Sequence, residues 1–323
     1  MTGSVDFGVA KEMALVEERI RQSIVSDEPL LHDIARYVID SGGKRIRPMV
    51  TLLAFHALGG TDTRQAIDLA AAFELIHSAT LIHDDINDGG EMRRGRLAAY
   101  KKFGVQNALI TGDFLFVKAF GIGGKFDDEI VEITANACAA LAEAEIRQKR
   151  HAFDTSVTRE EYLDIIHRKT AYPIMAGAKI AGLMAGARLE DIDAVGEYGL
   201  NLGIAFQIID DILDVVGEGH RLGKRAGTDL REGNVTLIAI HALNDGSSID
   251  VGALTRLIRK REKREPDIQR ALNLLIDSGA VEQARADAMR YGHSAKKSLD
   301  PLPDSDAKAN MGRLMDFVLS RDA

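Results

Sequence analysis

The chain has 323 residues, of which 46% are hydrophobic and 28% charged. Lysine and arginine number 41 against 49 aspartates and glutamates, and the net charge of −8 argues against a nucleic-acid-binding protein, whose basic footprint should dominate. The single cysteine, Cys138, excludes an intrachain disulfide framework and a zinc site built from cysteine alone. It favours a reducing, cytoplasmic compartment.

The chain carries no strong signal for a membrane segment or a leader. No stretch reaches the roughly 18 uninterrupted apolar residues of a spanning helix, and the nearest approach, residues 199–209, contains Asn201 and Gln207. The N-terminal residues lack the basic and apolar regions of a signal peptide. We therefore expect no stable membrane insertion.

Apolar residues recur at helical spacing along the whole chain. Residues 66–76 are apolar on nearly all faces, which predicts a buried helix, and amphipathic helical patterns cover residues 130–152, 160–185, 189–216 and 268–297. No period-two run predicts a strand. Short glycine-containing breaks are too brief to be linkers, and they fall at residues 41–43, 59–60, 89–90, 121–125, 217–227 and 245–248. We expect one all-α domain over residues 1–323, a bundle of about ten to twelve helices, with the charge run 259–264 as a solvated helix end.

Two acidic clusters stand at the ends of predicted apolar helices. Asp84 and Asp88 are four residues apart, which places both carboxylates on one helical face, and Asp85 lies between them. Residues 210–214 repeat this spacing with Asp210, Asp211 and Asp214. Like charges so placed repel each other, which favours a functional explanation over a solvated helix end. Carboxylate oxygens are hard ligands suited to Mg²⁺ and, through it, to a polyphosphate.

Basic residues accompany both clusters. Lys44, Arg45 and Arg47 follow the glycine pair 42–43, three arginines lie at positions 93, 94 and 96, and Lys224 follows the second cluster. Arginine binds phosphate oxygens through two hydrogen bonds and lysine supplies a compact charge. Each group alone could simply promote solubility, but their pairing with the acidic clusters favours phosphate binding.

In combination these motifs resemble those of the trans-isoprenyl diphosphate synthases, in order from about residue 20 to the C-terminus. The motifs are Gly42-Gly43-Lys44-Arg45-Ile46-Arg47-Pro48, the 84–88 cluster with Arg93-Arg94-Gly95, Lys169-Thr170, and residues 203–214 with Gly223-Lys224. The resemblance implies an all-helical isoprenoid synthase fold around a central substrate cavity, usually as a homodimer. It also implies condensation of isopentenyl diphosphate with an allylic diphosphate, using Mg²⁺.

The resemblance further implies a role for each motif residue. Asp84 and Asp88 would hold two metal ions and Asp210 a third, with Asp85, Asp211 and Asp214 supporting them as outer ligands or through water. The allylic diphosphate would bind Arg93, Lys169, Gln207 and Lys224. Isopentenyl diphosphate would bind Lys44, Arg47, His77 and Arg94. Thr170 and Gln207 would lie beside the reacting carbons, where Lys169 completes the catalytic group.

Product length is expected to depend on the helix that ends at Asp84. Ala79 and Thr80 lie about 6–8 Å below Asp84 at the helical rise, where short-chain relatives carry an aromatic residue. The next bulky residues are Ile76 and Phe73, the latter about 16 Å down. We therefore expect a product longer than geranylgeranyl diphosphate.

Some positions depart from the resemblance. Asn234 and Thr228 stand where relatives often carry lysine, and Ile238 where proline is common. The alternatives are a short-chain farnesyl or geranylgeranyl synthase and a non-catalytic subunit of a heteromeric synthase. A terpene-type cyclase would not need the Lys44–Arg47 motif, and an HD-type phosphohydrolase built on His83 and Asp84 would leave the repeated aspartate spacing unexplained.

Overall fold

The computed structural model describes residues 6–217, 226–245 and 248–321. The helices are α1 Ala10–Ser23, α2 Pro29–Ile39, α3 Ile46–Ala57, α4 Arg64–Asp88, α5 Ala99–Phe103, α6 Val105–Gly123, α7 Asp128–Arg150, α8 Arg159–Ile166, a π-helix His167–Ala171, α9 Tyr172–Met184, α10 Leu189–Val216, α11 Thr228–Glu232, α12 Leu237–Asp245, α13 Val251–Arg259, α14 Glu265–Asp277, α15 Ala280–Ser298 and α16 Asp306–Leu319.

The all-α prediction is confirmed. Within the described ranges the only strands are β1 Met92–Arg93 and β2 Arg96–Leu97, which form an antiparallel pair. The described ranges hold more helices than the ten to twelve expected, in part because two predicted long helices are interrupted. The π-helix divides the 160–185 pattern, and Gly279, with φ +76°, ends α14 in the left-handed conformation that glycine adopts without a steric cost.

The chain divides into two compact units. The first unit comprises Met1–Asn136, Pro173–Gly199 and Ser298–Leu314. Its central element is α4, which packs against α1, α3 and α6 and buries fifteen of its side chains. The helix is also long and apolar enough to cross a membrane, but 72% of its most apolar window is buried inside the structure. This burial is what a core helix requires.

The second unit comprises Ala137–Tyr172, Leu200–Lys297 and Met315–Ala323. Its core gathers apolar side chains from the second half of α10 and from α12 to α15, including Ile208, Ile212, Leu237 and Leu254. The charge run 259–264 begins at the end of α13, and all of its residues except the partly buried Lys263 are exposed. The single-domain organisation expected from the sequence stays a prediction.

Candidate active site

The first acidic cluster occupies the last turn of α4. Asp84 and Asp88 are half-buried and four residues apart, so they share a face at a separation of about 6 Å along the axis. The helix ends at Gly89, whose φ of +70° is the left-handed conformation of a glycine cap. The two carboxylates therefore stand together at the C-terminal end of a core helix.

Asp85, between these two aspartates, is hydrogen-bonded to an arginine. It is buried, and Arg93 donates to its Oδ1 from Nε at 2.9 Å and also from Nη2. Charge-assisted bonds of this kind are the stronger class of hydrogen bond. The guanidinium of Arg93, which the sequence assigns to the allylic diphosphate, thus lies on Asp85 in this structure.

The turn between β1 and β2 places Arg94. Arg94 and Gly95 both have positive φ, +52° and +76°, as a two-residue type I′ hairpin turn requires. A Cβ built on Gly43 would lie 2.7 Å from Nη2 of Arg94, so a side chain at position 43 would require the guanidinium to move. This close approach, together with the φ of +146° at Gly43, favours glycine before the basic motif Lys44–Arg47.

Arg45 stabilises the fold through ion pairs and a hydrogen bond to the backbone. Its Nε donates to Glu17 and its Nη1 to Glu74, each at 2.6 Å, and its Nη2 donates to the carbonyl of Ile39. Glu74 is only 2% exposed, so this ion pair is removed from water. Burial is the largest single effect on the pKa of Arg45 and lowers it, but the charges and hydrogen bonds of Glu74 and Glu17 together outweigh burial and raise the pKa. The anchored residue leaves Lys44 exposed and Arg47 half-buried on either side of it.

His77 lies among arginines. Desolvation, followed by the positive charges of Arg47 and Arg94, lowers the pKa of His77 well below 6.5, so the ring is neutral at pH 7. Burial also lowers the pKa of Arg94, and the charges of its arginine neighbours act in the same direction. Cations held this close repel one another, so the cluster is a ready site for an anion. The structure therefore brings together three of the four residues assigned to isopentenyl diphosphate, and Lys44 adjoins them in the chain.

The residues assigned to product length lie in the interior of the first unit. Ala79 is fully buried, and Thr80, Ile76 and Phe73 are nearly so. Thr80 satisfies its own hydroxyl by donating to the carbonyl of His77 at 2.8 Å. At the far end, the Phe73 ring lies 4.0 Å from where a Cβ on Gly177 of α9 would be. Phe73 is thus a packed residue with little freedom to move.

In the second unit, the π-helix carries Lys169 and Thr170. The single wide turn alters the direction of side chains, and such turns are frequent at functional sites. Lys169 Nζ donates to Gln148 at 2.8 Å and pairs with Glu145 at 2.5 Å. A Cβ on Gly203 would lie 2.5 Å from the Cα of Ala171, so α10 approaches the π-helix closely at this glycine. One turn later, Gln207 is level with Thr170.

Hydrogen bonds connect this part of the second unit. Thr170 Oγ1 donates to Gln207 Oε1 at 2.8 Å, and Gln207 Nε2 donates to Asp211 Oδ1 at 2.8 Å. The buried hydroxyl of Tyr162 donates to Asp211 Oδ2 at 2.7 Å. Burial, together with the charges of Asp210 and Asp214, raises the pKa of Asp211 to about 7 against these hydrogen bonds.

The other two aspartates of the second cluster have different partners. Asp214 accepts backbone N–H groups from Thr228 and Asp229, each at 3.0 Å, and so anchors the short helix α11. Asp210 is 36% exposed, and the nearly buried guanidinium of Arg321 lies 2.5 Å from it. The three carboxylates, although within five residues, thus face three environments.

Of the positions that depart from the resemblance, Thr228 begins α11 and Asn234 follows its end. Asn234 Nδ2 donates to Glu232 at 3.0 Å and to the half-buried Asp229 at 3.3 Å. Burial and the charges of Asp214 and Asp211 raise the pKa of Asp229 well above its usual value. Thr228 donates its backbone N–H to Asp214. Lys224 lies outside the described residues.

Each acidic cluster, taken by itself, suits a hard divalent cation. Asp84 and Asp88 in the first unit, and Asp210 in the second, offer carboxylate oxygens, the ligands that Mg²⁺ prefers. Among the described residues, no three acidic, histidine or cysteine side chains are gathered closely enough to hold a metal by themselves. Mg²⁺ commonly takes one or two carboxylates and completes its octahedron with waters and substrate phosphates, so the residues present fit it.

The structure adds residues that sequence reasoning missed. Tyr162 lies eight positions before Thr170, Glu145 belongs to α7, and Arg321 follows the last helix. None of them belongs to the two aspartate clusters or to the basic groups that accompany them, and the charged residues around them resemble an ordinary helix surface. Each is recognised only by the side chain that it contacts.

The chain is similar to known proteins over nearly its whole length. The polyprenyl synthetase family model matches residues 28–275. A short chain isoprenyl diphosphate synthase of Methanothermobacter thermautotrophicus is 37% identical over 319 residues, 97% of each chain. The octaprenyl diphosphate synthase of Escherichia coli is 34% identical over 314 residues, again 97% of each. The crystal structure of a polyprenyl synthase from Caulobacter crescentus, complexed with calcium and isoprenyl diphosphate, is 38% identical and covers 100% of this chain and 99% of its own, with a TM-score of 0.94.

Proposed function

The chain belongs to the polyprenyl synthetase family and is a trans-prenyltransferase, and we propose that it condenses isopentenyl diphosphate with an allylic diphosphate in a Mg²⁺-dependent reaction. The observation that carries this proposal is the cluster of arginines around His77 in the unit whose core helix ends at Asp84 and Asp88. An anion site next to carboxylates suits an enzyme that handles two diphosphates. A cyclase with a single diphosphate substrate would have no use for it.

In this proposal, isopentenyl diphosphate binds Lys44, Arg47, His77 and Arg94. The guanidinium groups neutralise the diphosphate, and neutral His77 contributes a hydrogen bond rather than a charge. Because Arg45 already anchors the loop to Glu17 and Glu74, the loop is ordered before substrate arrives. Less conformational entropy is then lost on binding.

In this proposal, Asp84 and Asp88 of the first unit and Asp210 of the second would hold Mg²⁺, three ions in all with substrate bound. The metal would supply positive charge that neutralises the leaving diphosphate. Asp85, Asp211 and Asp214 support this set indirectly, consistent with their hydrogen bonds to Arg93, Gln207 and the α11 backbone. Arg93, Lys169, Gln207 and Lys224 contact the allylic diphosphate directly, which requires Arg93 and Lys169 to share or exchange their present carboxylate partners.

The side chains of the second unit act on the carbon skeleton. Departure of diphosphate leaves an allylic cation, and the oxygen dipoles of Thr170 and Gln207 stabilise positive charge beside it. The double bond of isopentenyl diphosphate attacks the cation, and holding both substrates in place supplies much of the acceleration. The released diphosphate accepts the proton that is lost.

We further propose a product longer than geranylgeranyl diphosphate. Ala79 and Thr80 are small, so the upper part of this helix face offers no aromatic side chain to stop the growing chain until Phe73. Curated relatives with similar identity include both short-chain and octaprenyl synthases, and similarity alone therefore does not choose between them. A short-chain product remains the alternative.

Two further proposals concern the protein as a whole. The helix α6 exposes Ile110, Val117 and Phe120, which share one face at spacings of seven and three residues, and an apolar face of this kind suits a homodimer. The single half-buried thiol of Cys138 fits a cytoplasmic location. Light scattering coupled to size-exclusion chromatography tests the first proposal, with Val117→Glu as the variant expected to give monomers.

One assay tests the reaction. Purified protein is incubated with Mg²⁺, radiolabelled isopentenyl diphosphate and dimethylallyl, geranyl or farnesyl diphosphate, and the extracted products are sized by chromatography. We expect labelled, chain-extended diphosphates that require both the primer and Mg²⁺. Release of hydrocarbon from primer alone would instead indicate a cyclase, release of phosphate a hydrolase, and no product with any primer a non-catalytic subunit.

A further inference from the structure

Three hydrogen bonds in the second unit run in one direction and end on Asp211. Thr170 donates to Gln207, Gln207 donates to Asp211 Oδ1, and Tyr162 donates to Asp211 Oδ2. The donors come from three different elements, α8, the π-helix and α10. Asp211 is 5% exposed and Tyr162 is 4% exposed, so water does not replace any of these contacts readily.

The orientation of the Gln207 amide sets the direction of this relay. Its Nε2 lies 2.8 Å from Asp211 Oδ1, and an amide N–H group can only donate. The amide oxygen Oε1 then faces Thr170, which has to donate its proton to it. Because its proton is directed at Gln207, the Thr170 hydroxyl can offer only its lone pairs to a group on the opposite side.

We propose that Asp211 and Tyr162 are positioning residues that orient the Gln207 amide and, through it, the Thr170 hydroxyl, so that Thr170 presents electron density to the reacting carbons. This inference rests on the proposed function, in which an allylic cation forms beside Thr170. A hydroxyl that pointed its proton at the cation would oppose the charge, whereas its lone pairs stabilise it. A role in orientation also accounts for Asp211 having both oxygens already bound by protein donors.

Tyr162 fixes Asp211 for a geometric reason. It lies in α8, eight residues before Thr170 in the π-helix, and side-chain hydrogen bonds connect both residues to α10. If the Tyr162 hydroxyl were absent, Oδ2 of Asp211 would be a buried acceptor without this donor, and the carboxylate could rotate toward Gln207 or solvent. Unsatisfied buried polar groups are costly enough to drive such a rearrangement.

The first test compares Tyr162→Phe with Tyr198→Phe. Tyr198 is also fully buried and donates to a backbone carbonyl, that of Met311, so the control removes a similar hydrogen bond elsewhere. We expect Tyr162→Phe to lower kcat about fivefold to tenfold, with unchanged KM for both diphosphates and an unchanged Mg²⁺ requirement. Tyr198→Phe should alter thermal stability to a similar extent and leave kcat unchanged. Equal kinetics in the two variants would overturn the proposal.

The second test removes the carboxylate at position 211 and then introduces one at position 207. Asparagine has one acceptor oxygen, so Asp211→Asn leaves Tyr162 or Gln207 without a partner and places an N–H donor that competes with Thr170 for the Gln207 oxygen. We expect kcat to fall about 10- to 100-fold. The double variant Asp211→Asn with Gln207→Glu returns an acceptor-only group beside Thr170 and should recover most of the lost kcat.

The outcomes distinguish the alternatives. A raised Mg²⁺ requirement in Asp211→Asn, with no recovery in the double variant, would mean that Asp211 acts on the metal and not on the relay. Wild-type kinetics in Asp211→Asn would remove any role for it. If the unmodified protein extends no primer at all, the proposed function fails before the relay is tested.

Discussion

Nη2 of Arg321 lies 2.5 Å from Oδ1 of Asp210, across 111 residues of sequence. The guanidinium is 9% exposed, stacks at 4.9 Å over the Phe206 ring and has a buried Nη1 without a hydrogen-bond partner. Burial lowers the pKa of Arg321 to about 10, so it remains charged at neutral pH. A cation from the end of the chain therefore occupies the carboxylate that the sequence assigns to the third metal ion.

The first prediction follows from this competition. Because Arg321 and Mg²⁺ would bind the same oxygen atoms, we expect Arg321→Ala to lower the Mg²⁺ concentration for half-maximal activity several-fold, and Arg321→Lys to have a smaller effect. Mg²⁺ titrations of initial rate measure this. Arg313→Ala, which removes an exposed charge from the last helix, is the control. An unchanged or higher Mg²⁺ requirement in Arg321→Ala would show that the two cations do not compete.

The second prediction concerns the metal ligands. We expect Asp84→Ala and Asp210→Ala each to reduce kcat by about three orders of magnitude or more, since leaving-group stabilisation is lost. Neither should lower the melting temperature much, because clustered like charges contribute little to folding. Asp193→Ala, at an exposed position on α10, is the matched control. Near-normal turnover at saturating Mg²⁺ in either variant would contradict the assignment.

The third prediction separates the two diphosphate sites. Lys44→Ala and Arg47→Ala should raise KM for isopentenyl diphosphate by about tenfold or more, with a smaller effect on the allylic substrate. Lys224→Ala should do the reverse. The exposed Lys297→Ala controls for the loss of one positive charge. Steady-state kinetics with one substrate varied at a time provides the measurement, and equal effects on both substrates would mean that the sites are assigned wrongly.

The fourth prediction concerns product length. The series Ala79→Val, Ala79→Leu and Ala79→Phe should shorten the product in steps, since each adds volume below Asp84 at a fully buried position. Phe73→Ala should lengthen it by removing the first aromatic barrier. Overpacking costs about 1–3 kcal/mol and a cavity at phenylalanine about 3–5 kcal/mol, so each variant is checked by thermal unfolding. A length distribution that no variant alters would place the determinant elsewhere.

The fifth prediction is a pH dependence of stability. The folded protein keeps His77 neutral, because desolvation and the charges of Arg47 and Arg94 lower its pKa well below 6.5. As the pH falls below 6.5, His77 becomes protonated in the unfolded chain but stays neutral in the folded protein. Proton binding therefore favours the unfolded state, and the free energy of unfolding decreases. Between pH 7.5 and 5.5 this amounts to about 1 kcal/mol.

Urea unfolding at the two pH values measures this effect. His77→Gln should lose about that much of the pH dependence, whereas the exposed His293→Gln should keep it. The same slope in wild type and His77→Gln would mean that other groups account for it.

Most of the helical architecture is predictable from local sequence. The pattern at 189–216 coincides with α10, and the breaks at residues 41–43, 59–60 and 89–90 fall between helices as expected. Apolar spacing and glycine act over a few residues, so the sequence near each position is sufficient to predict them. The π-turn at Lys169 and Thr170 was not predictable, since a five-residue turn leaves no distinct periodicity.

The sequence by itself determined that Asp84 and Asp88 share a helical face, because the α-helix places residues four apart on one side wherever it occurs. Only the tertiary structure decided which carboxylates have their oxygens taken by protein donors. Asp85 is bound by Arg93, Asp211 by Tyr162 and Gln207, and Asp210 by Arg321. Identical residues in identical motifs received different partners, because a hydrogen bond depends on which distant side chains the packing of helices brings within about 3 Å.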